Sequence, residues 1–378
     1  MFTVLHVGVA ETLRRNAFGQ MAGVERYGFR SAAACDAASP FAEELRAAGV
    51  EVAEIGIGAR PAAQEMGSAT RLLARRLREG DVDLVHTHNA HHGLVGRLLA
   101  RLRGIPSVHT WRYSPVDAAT GAASTLAYGG LEAVASRAGS AVLFQNREDL
   151  AFAVRTRIVP PTRVRFVGNG IRLDRYRGIA VDRDAVLRSI GIDPATRVVL
   201  CVARLDDRKR PGDVIRAVAA TRREDVSLLL VGRGPDEDDL RALAGSEGLD
   251  GRVVFAGHRQ DVPELMAASD VFCLASRREG IPRAAMEAMA GGLPVVATDV
   301  VGTRELVTDG RTGLLAPFGD VGALSRNLLR VLDDRELARS LSAAGSAHVE
   351  AEHDEDEVIR RVADVYASVL LAAGRTPA

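Results

Sequence analysis

Short runs of Val, Leu and Ile alternate along the chain with stretches in which apolar residues recur every three or four positions, which predicts strands alternating with helices. In the first half the strand-like runs are Thr3–Val9, Phe29–Ala34, Val50–Ile55, Asp83–Thr87, Ser107–Trp111, Ala141–Phe144 and Val164–Val167. A second series follows Gly168-Asn169-Gly170, at Val198–Ala203, Ser227–Val231, Val253–Phe255, Val271–Leu274, Pro294–Ala297 and Leu314–Ala316. Between them, Ser68 is placed as a helix cap, with Leu72, Leu73 and Leu77 as the apolar stripe and Gly80 just past the end. Such alternation is the signature of parallel βαβ units with helices on both sheet faces. The expectation is therefore α/β, two doubly wound domains of residues 1–173 and 174–356, divided in the polar, turn-rich passage from Leu173 to Asp184. The acidic run EAEHDEDE introduces a last helix, 357–378, too late to add a βα unit and expected to pack back on the first domain. Two such domains facing each other leave a cleft at their strand C-terminal ends, where function is sought.

A length of 378 residues suits two domains, and 47% hydrophobic with 26% charged residues is ordinary globular composition. No run approaches 18 uninterrupted apolar residues and no basic region precedes an apolar start, so the expected location is cytoplasmic. Cys35, Cys201 and Cys273 stand far apart in apolar surroundings and read as buried reduced thiols. Net charge is zero but divided: residues 1–173 carry 21 arginines and no lysine against 15 acids, and the remainder is acidic to the same extent. The front half prefers anions or is a solvated basic face. With aromatics at 4% and no nucleic-acid motif, a nucleic-acid partner is not expected.

Two segments can do chemistry. Cys201-Val-Ala-Arg204-Leu-Asp-Asp-Arg-Lys209-Arg-Pro-Gly212 leaves a buried strand and enters a helix, a turn that aims cations and backbone N–H groups into a crevice where an anion gains from both. Lys209 is the only lysine in the chain, against 48 arginines, and a compact ammonium suits a phosphate oxygen as a point charge. A stray lysine on a solvated loop is the competing explanation. The second segment runs Arg277-Arg-Glu279-Gly280-Ile281-Pro282-Arg283-Ala-Ala-Met-Glu287, with Pro282 at the first helical position and Gly291-Gly292 at the stop. Backbone N–H groups near Gly280 and Ile281 can hold a diphosphate, Glu279 lies beside the bound group, and Glu287, about two turns on, reaches a sugar hydroxyl.

The spacing Glu279-x7-Glu287 after one strand, with Arg204 and Lys209 after an earlier one, resembles the retaining family-4 glycosyltransferases of GT-B architecture, with its two Rossmann-like domains. Three further stretches carry the likeness: Val164-Arg-Phe-Val-Gly-Asn-Gly-Ile171, Val231-Gly-Arg-Gly-Pro235, and Phe255-Ala-Gly-His258-Arg259-Gln-Asp-Val262. The resemblance implies that Arg204 and Lys209 bind the donor diphosphate, Glu279 lies near the donor sugar, Glu287 holds the ribose, and His258 and Arg259 lie near the base. It implies transfer of a hexose from a nucleotide diphosphate sugar, UDP by default, to an acceptor hydroxyl with retention. No metal and no cofactor are expected, the donor cations replacing a metal's charge.

The front half matches less closely. The glycine pair that often follows the first strand in this family is reduced to Gly19. The position at which the family often places a histidine, counted from Gly104-Ile105-Pro106, falls on Arg112, while the nearest histidine is His109. Either can face the donor, and His109 is preferred. His86, His88, His91 and His92 crowd one strand end without a structural-zinc pattern and read as a polar acceptor wall rather than a metal site. Asp81-Val-Asp83 precedes its strand and reads as a turn. Trp111, with Arg112 and Tyr113, suits a sugar face or the core equally. Arg71, Arg75, Arg76 and Arg78 offer a basic helical face for an anionic lipid surface, but the segment lacks an aromatic anchor, so a soluble small-molecule acceptor is expected over a membrane one. Two rival readings fit the same residues: a sugar-nucleotide epimerase or hydrolase of the same fold, and a non-catalytic nucleotide-sugar binding protein.

Overall fold

The computed structural model describes residues 1–56, 63–112 and 122–375. Its thirteen strands among the described residues fall where apolar runs predict them. They are β1 (Phe2–Val7), β2 (Phe29–Cys35), β3 (Glu51–Glu54), β4 (Leu84–Thr87), β5 (Ser107–Trp111), β6 (Ala141–Phe144), β7 (Val164–Phe166), β8 (Arg197–Val202), β9 (Val226–Val231), β10 (Val253–Gly257), β11 (Val271–Leu274), β12 (Val295–Asp299) and β13 (Leu314–Pro317).

The chain divides into two units: Met1–Asn169 with Glu355–Ala378, and Gly170–Asp354. The first holds a seven-stranded sheet in the order β3-β2-β1-β4-β5-β6-β7, the second a six-stranded sheet in the order β10-β9-β8-β11-β12-β13, and these neighbours pair in parallel. Strand order reverses between β1 and β4 in one sheet and between β8 and β11 in the other. At such points the flanking connections part to opposite faces and leave room beyond the strand C-termini. Strands covered on both faces are largely apolar, and the four residues of β4, β6 and β11 are all buried, His86 and Thr87 of β4 among them.

The last helix, Glu355–Ala372, belongs to the first unit, where Val358, Ile359, Val362, Tyr366 and Leu370 pack beneath Val4, Leu84 and Val108. Ser68 does not cap a helix: the helix spans Ala63–Arg76, with Ser68 inside it. Leu73 and Leu77 are buried as expected, whereas Leu72 is exposed. Nor is Arg76 part of a basic outer face. It is buried and donates to Asp81 and Glu51, tying the helix end to the β3 edge. Asp83 likewise serves the fold, accepting from Thr3 N at 2.8 Å and from Arg375 at 3.1 Å. All three cysteines are buried and unpaired, and burial holds the Cys35 thiol up at about 11. Among the described residues no helix is long and apolar enough to cross a membrane.

Candidate functional site

The loop after β8 is shaped by glycines on its neighbour. Gly232 has φ +139°, and a Cβ there would lie 1.9 Å from the Ala203 carbonyl oxygen; at Gly234 it would lie 1.9 Å from the Leu205 oxygen. Only glycine allows the two loops to lie flush. Leu205 N donates to Arg233 O and Asp236 N to Leu205 O, completing the seam. Lys209 N donates to Asp206 O and Oδ1, and Arg210 (φ +50°) turns the chain into the helix Pro211–Ala220.

This turn sets Lys209 Nζ against Glu279 Oε1 in an ion pair. Glu279 is held from below by Ser276 Oγ at 2.6 Å, and Ser276 O accepts from Thr298 Oγ1 at 2.6 Å. Its backbone is fixed as well: Glu279 N donates to Val301 O, and a Cβ on Gly302 (φ +79°) would meet the Gly280 oxygen at 2.3 Å. Arg277 N donates to Arg208 O, and Arg277 Nη2 to Asp207 at 2.9 Å, so the loops after β8 and β11 are bound at three places.

The other predicted donor residues spread around this pair. Arg204 projects from the same turn, with its side chain 58% exposed and Nε 3.2 Å from Asp206. Pro282 precedes the helix Arg283–Ala290 as its cap residue instead of opening it, and the Ile281 side chain is in the core. Gly292 (φ +75°) ends that turn as expected. Glu287 does not join Glu279. It accepts from Arg283 Nε at 3.0 Å and lies beside Tyr176, whose phenol burial and the nearby carboxylate hold well above its usual range. His258 is exposed after β10, and Arg259 is paired with Asp261 at 2.8 and 2.5 Å. Sequence reasoning missed Ser276 and Thr298. The first stands three residues before Glu279, a spacing that can bring a hydroxyl back to a carboxylate across a turn, but Thr298 comes from the next strand and leaves no local signal.

In the first unit the histidines regroup. His6 on β1 is in register with His86 on β4, and both converge with His88, their ligand-capable nitrogens within 4.8 Å of one another. His91 is exposed, and His92 is buried beside a small cavity lined by Ile55, Met66, Leu73 and Val95. The directions of the hydrogen bonds follow from Arg112, which can only donate. Its Nη2 gives a proton to His88 Nδ1 at 2.8 Å, so His88 carries its own proton on Nε2 and donates it to His6 Nδ1 at 3.1 Å. His86 is taken by Tyr366 Oη at 2.5 Å and Thr110 Oγ1 at 2.7 Å. Metal-bound histidines donate from the second nitrogen, whereas His88 accepts there, so this network is a hydrogen-bonded ladder. Burial, with the Arg112 charge second, holds His6 down at about 3, and burial lowers Arg112 to about 9.

His109, the residue that the sequence favours over Arg112, lies inside β5 and faces the other way. It is bonded to Thr87 Oγ1 at 2.8 Å, and a Cβ on Gly93 would meet its ring at 2.7 Å. Arg112 stands just past the strand end, beside His88. Trp111 is 5% exposed and stacks on Phe144, the core alternative; Tyr113 lies outside the described residues. Gly19 sits in the helix Phe18–Gly23, where a Cβ would meet the Glu355 carboxylate at 2.3 Å. It makes room for the C-terminal helix, as Gly23 does for Ile359.

Comparison with known proteins matches residues 182–348 to the family described as Glycosyl transferases group 1, and residues 12–170 to the Glycosyl transferase 4-like domain. The chain is 30% identical over 320 residues to the D-inositol 3-phosphate glycosyltransferase of Salinispora arenicola, covering 78% of this chain and 70% of that one. It is 29% identical over 271 residues to the UDP-Gal:alpha-D-GlcNAc-diphosphoundecaprenol alpha-1,3-galactosyltransferase of Escherichia coli, covering 70% of each. Among solved structures, Anabaena HepE in complex with UDP and glucose superposes with a TM-score of 0.84 at 22% identity, covering 97% of this chain and 100% of that one, a likeness of fold.

Proposed function

This chain belongs to the group 1 glycosyl transferases with a 4-like N-terminal domain and is a GT-B glycosyltransferase acting on nucleotide sugars, and from that premise we propose that it moves a hexose from a UDP-linked donor to an acceptor hydroxyl with retention, without a metal. The observation that supports this reading is the Lys209–Glu279 pair at the strand-order reversal of the second sheet, with Arg204 exposed on the same turn.

Lys209 and Arg204 stabilise the charge that grows on the diphosphate as its bond to the anomeric carbon breaks, which is worth most in the transition state. Lys209 leaves Glu279 for the phosphate, and the Glu279 carboxylate, still held by Ser276, faces the donor sugar. The acceptor oxygen bonds to the anomeric carbon on the face the phosphate leaves, and its proton passes to the departing phosphate oxygen. The backbone at Gly280, Ile281 and Pro282 borders the diphosphate, Glu287 takes the ribose, and His258 with Arg259 flanks the base.

On the acceptor side the geometry favours Arg112 and His88 over His109, Trp111 and Gly19. A cation held beside neutral imidazoles suits an anionic acceptor, and the acceptors in both relatives' names carry phosphate. The acceptor proposed is a small phosphorylated molecule. The test is a thermal-shift screen of nucleotide sugars followed by mass analysis of products with phosphorylated acceptors. A ligand at 100 times its Kd stabilises the fold by about 2.7 kcal/mol, so UDP-hexoses should raise the melting temperature clearly. A response to GDP-sugars alone would replace the base assignment.

A further inference from the structure

Glu279 has a partner that remains when Lys209 departs. Ser276, 0% exposed, donates from Oγ to Glu279 Oε1 at 2.6 Å, the oxygen that also takes Lys209. Ser276 is fixed in turn by Thr298, 4% exposed on β12, whose Oγ1 donates to the Ser276 carbonyl at 2.6 Å. Thr298 on β12 therefore anchors the Ser276 backbone just past β11, and the Ser276 hydroxyl donates to the carboxylate.

We propose that Ser276, held by Thr298, is a positioning residue for Glu279, keeping the carboxylate in place at the moment Lys209 transfers to the donor diphosphate. This rests on the roles proposed above for Lys209 and Glu279. A carboxylate with two donors on one oxygen keeps its rotamer when one is withdrawn. With Ser276 absent, the same withdrawal releases the side chain, and the sugar meets a mobile group where the reaction needs a fixed one.

The single lysine allows a test that needs no donor. Protein labelled with lysine carrying 13C at Cε gives one side-chain methylene signal, that of Lys209. The signal is expected to move in Ser276→Ala, to move less in Thr298→Val, and to return toward the wild-type position in Ser276→Thr, with thermal melts confirming that each variant is folded. In a second arm, UDP release from UDP-glucose should fall about tenfold or more in kcat for Ser276→Ala, with the Kd for UDP within about twofold of wild type. The same change made in Glu279→Gln should add nothing, since its effect passes through the carboxylate. An unmoved lysine signal in both Ser276→Ala and Thr298→Val overturns the proposal, and so does an equal loss of turnover in the Glu279→Gln background. If the wild type binds no UDP, the donor reading fails while the lysine signal still decides the positioning role.

Discussion

Lys209 and Glu279 stand 70 residues apart in the chain and meet as an ion pair between the loops that follow β8 and β11. These strands are neighbours in the sheet, and strand order reverses between them. The first unit repeats the relationship: His6 near the end of β1 and His88 just past β4 meet where its own order reverses. Each sheet therefore gathers its polar side chains at the place where topology leaves room for a ligand.

Removal of Lys209 should cost diphosphate binding more than nucleoside binding. A charge-assisted contact is worth about 1.5–3 kcal/mol, so Lys209→Ala is expected to weaken UDP by that amount while uridine binding stays within about twofold. Calorimetry with the two ligands measures the difference. Lys209→Arg should recover only part of the loss, because the wider guanidinium must also fit against Ser276 and Glu279.

The two glutamates should separate in kinetics. Glu279→Gln is expected to lower kcat with little change in donor affinity, and Glu287→Gln to raise the donor Michaelis constant. Glu287 also anchors Arg283, so its variant should lose up to about 1 kcal/mol of stability as well. Changes confined to the Michaelis constant in both variants would remove Glu279 from the reacting centre.

Gly302→Ala tests the backbone under Glu279. The residue combines φ +79° with backbone oxygens of Gly280 and Glu279 at 2.3 and 2.5 Å from a Cβ, and no side chain can yield to relieve it. A loss of roughly 1–3 kcal/mol in urea unfolding is expected, with a fall in turnover. Gly19→Ala should be milder, because the atom it meets is the end of the flexible Glu355 side chain.

The thirteen strands were legible because most of them are runs rich in Val, Leu and Ile, and the turns after β8 and β11 were legible because Arg204, Lys209 and Glu279 follow such runs directly in the sequence. Contacts made by burial at long range were not. The pairing of His6 with His88 depends on register between β1 and β4, and His86 meets Tyr366 280 residues away. Trp111 and His109 both lie on β5, all five residues of which are buried, and sequence spacing alone does not show that both of its faces are covered. Gly19 looked available because the helix it accommodates lies at the other end of the chain.

Acid should unfold the first unit early. His6 is held at about 3 and His92 at about 4, against 6.5 for an exposed imidazole, chiefly by burial. A depressed histidine is neutral when folded, while the unfolded chain takes up the proton. Stability is therefore full above about pH 6.5 and falls as pH drops toward those lower values, by up to about 1.4 kcal/mol per pH unit for each such group. Urea unfolding between pH 7.5 and 4.5 measures the slope. His6→Gln should flatten it, even though the variant is less stable at pH 7.5.

Arg112 and His109 give the sharpest contrast. Arg112 stands past the end of β5 with its guanidinium on His88, whereas His109 is enclosed between Thr87 and the Gly93 turn of the helix Ala90–Leu102. If Arg112 meets a phosphorylated acceptor, Arg112→Ala should raise the acceptor Michaelis constant about tenfold or more, a loss of roughly 1.5–3 kcal/mol, while UDP binding is unchanged. Arg112→Lys should restore charge without the fork and recover only part of it. His109→Gln should instead lower the melting temperature and leave turnover per folded molecule within about twofold, since its ring reaches only the interior. Steady-state kinetics with the acceptor varied, set beside thermal melts of both variants, separates the two roles. A His109→Gln enzyme that is stable but inactive would return the acceptor-side assignment to the histidine.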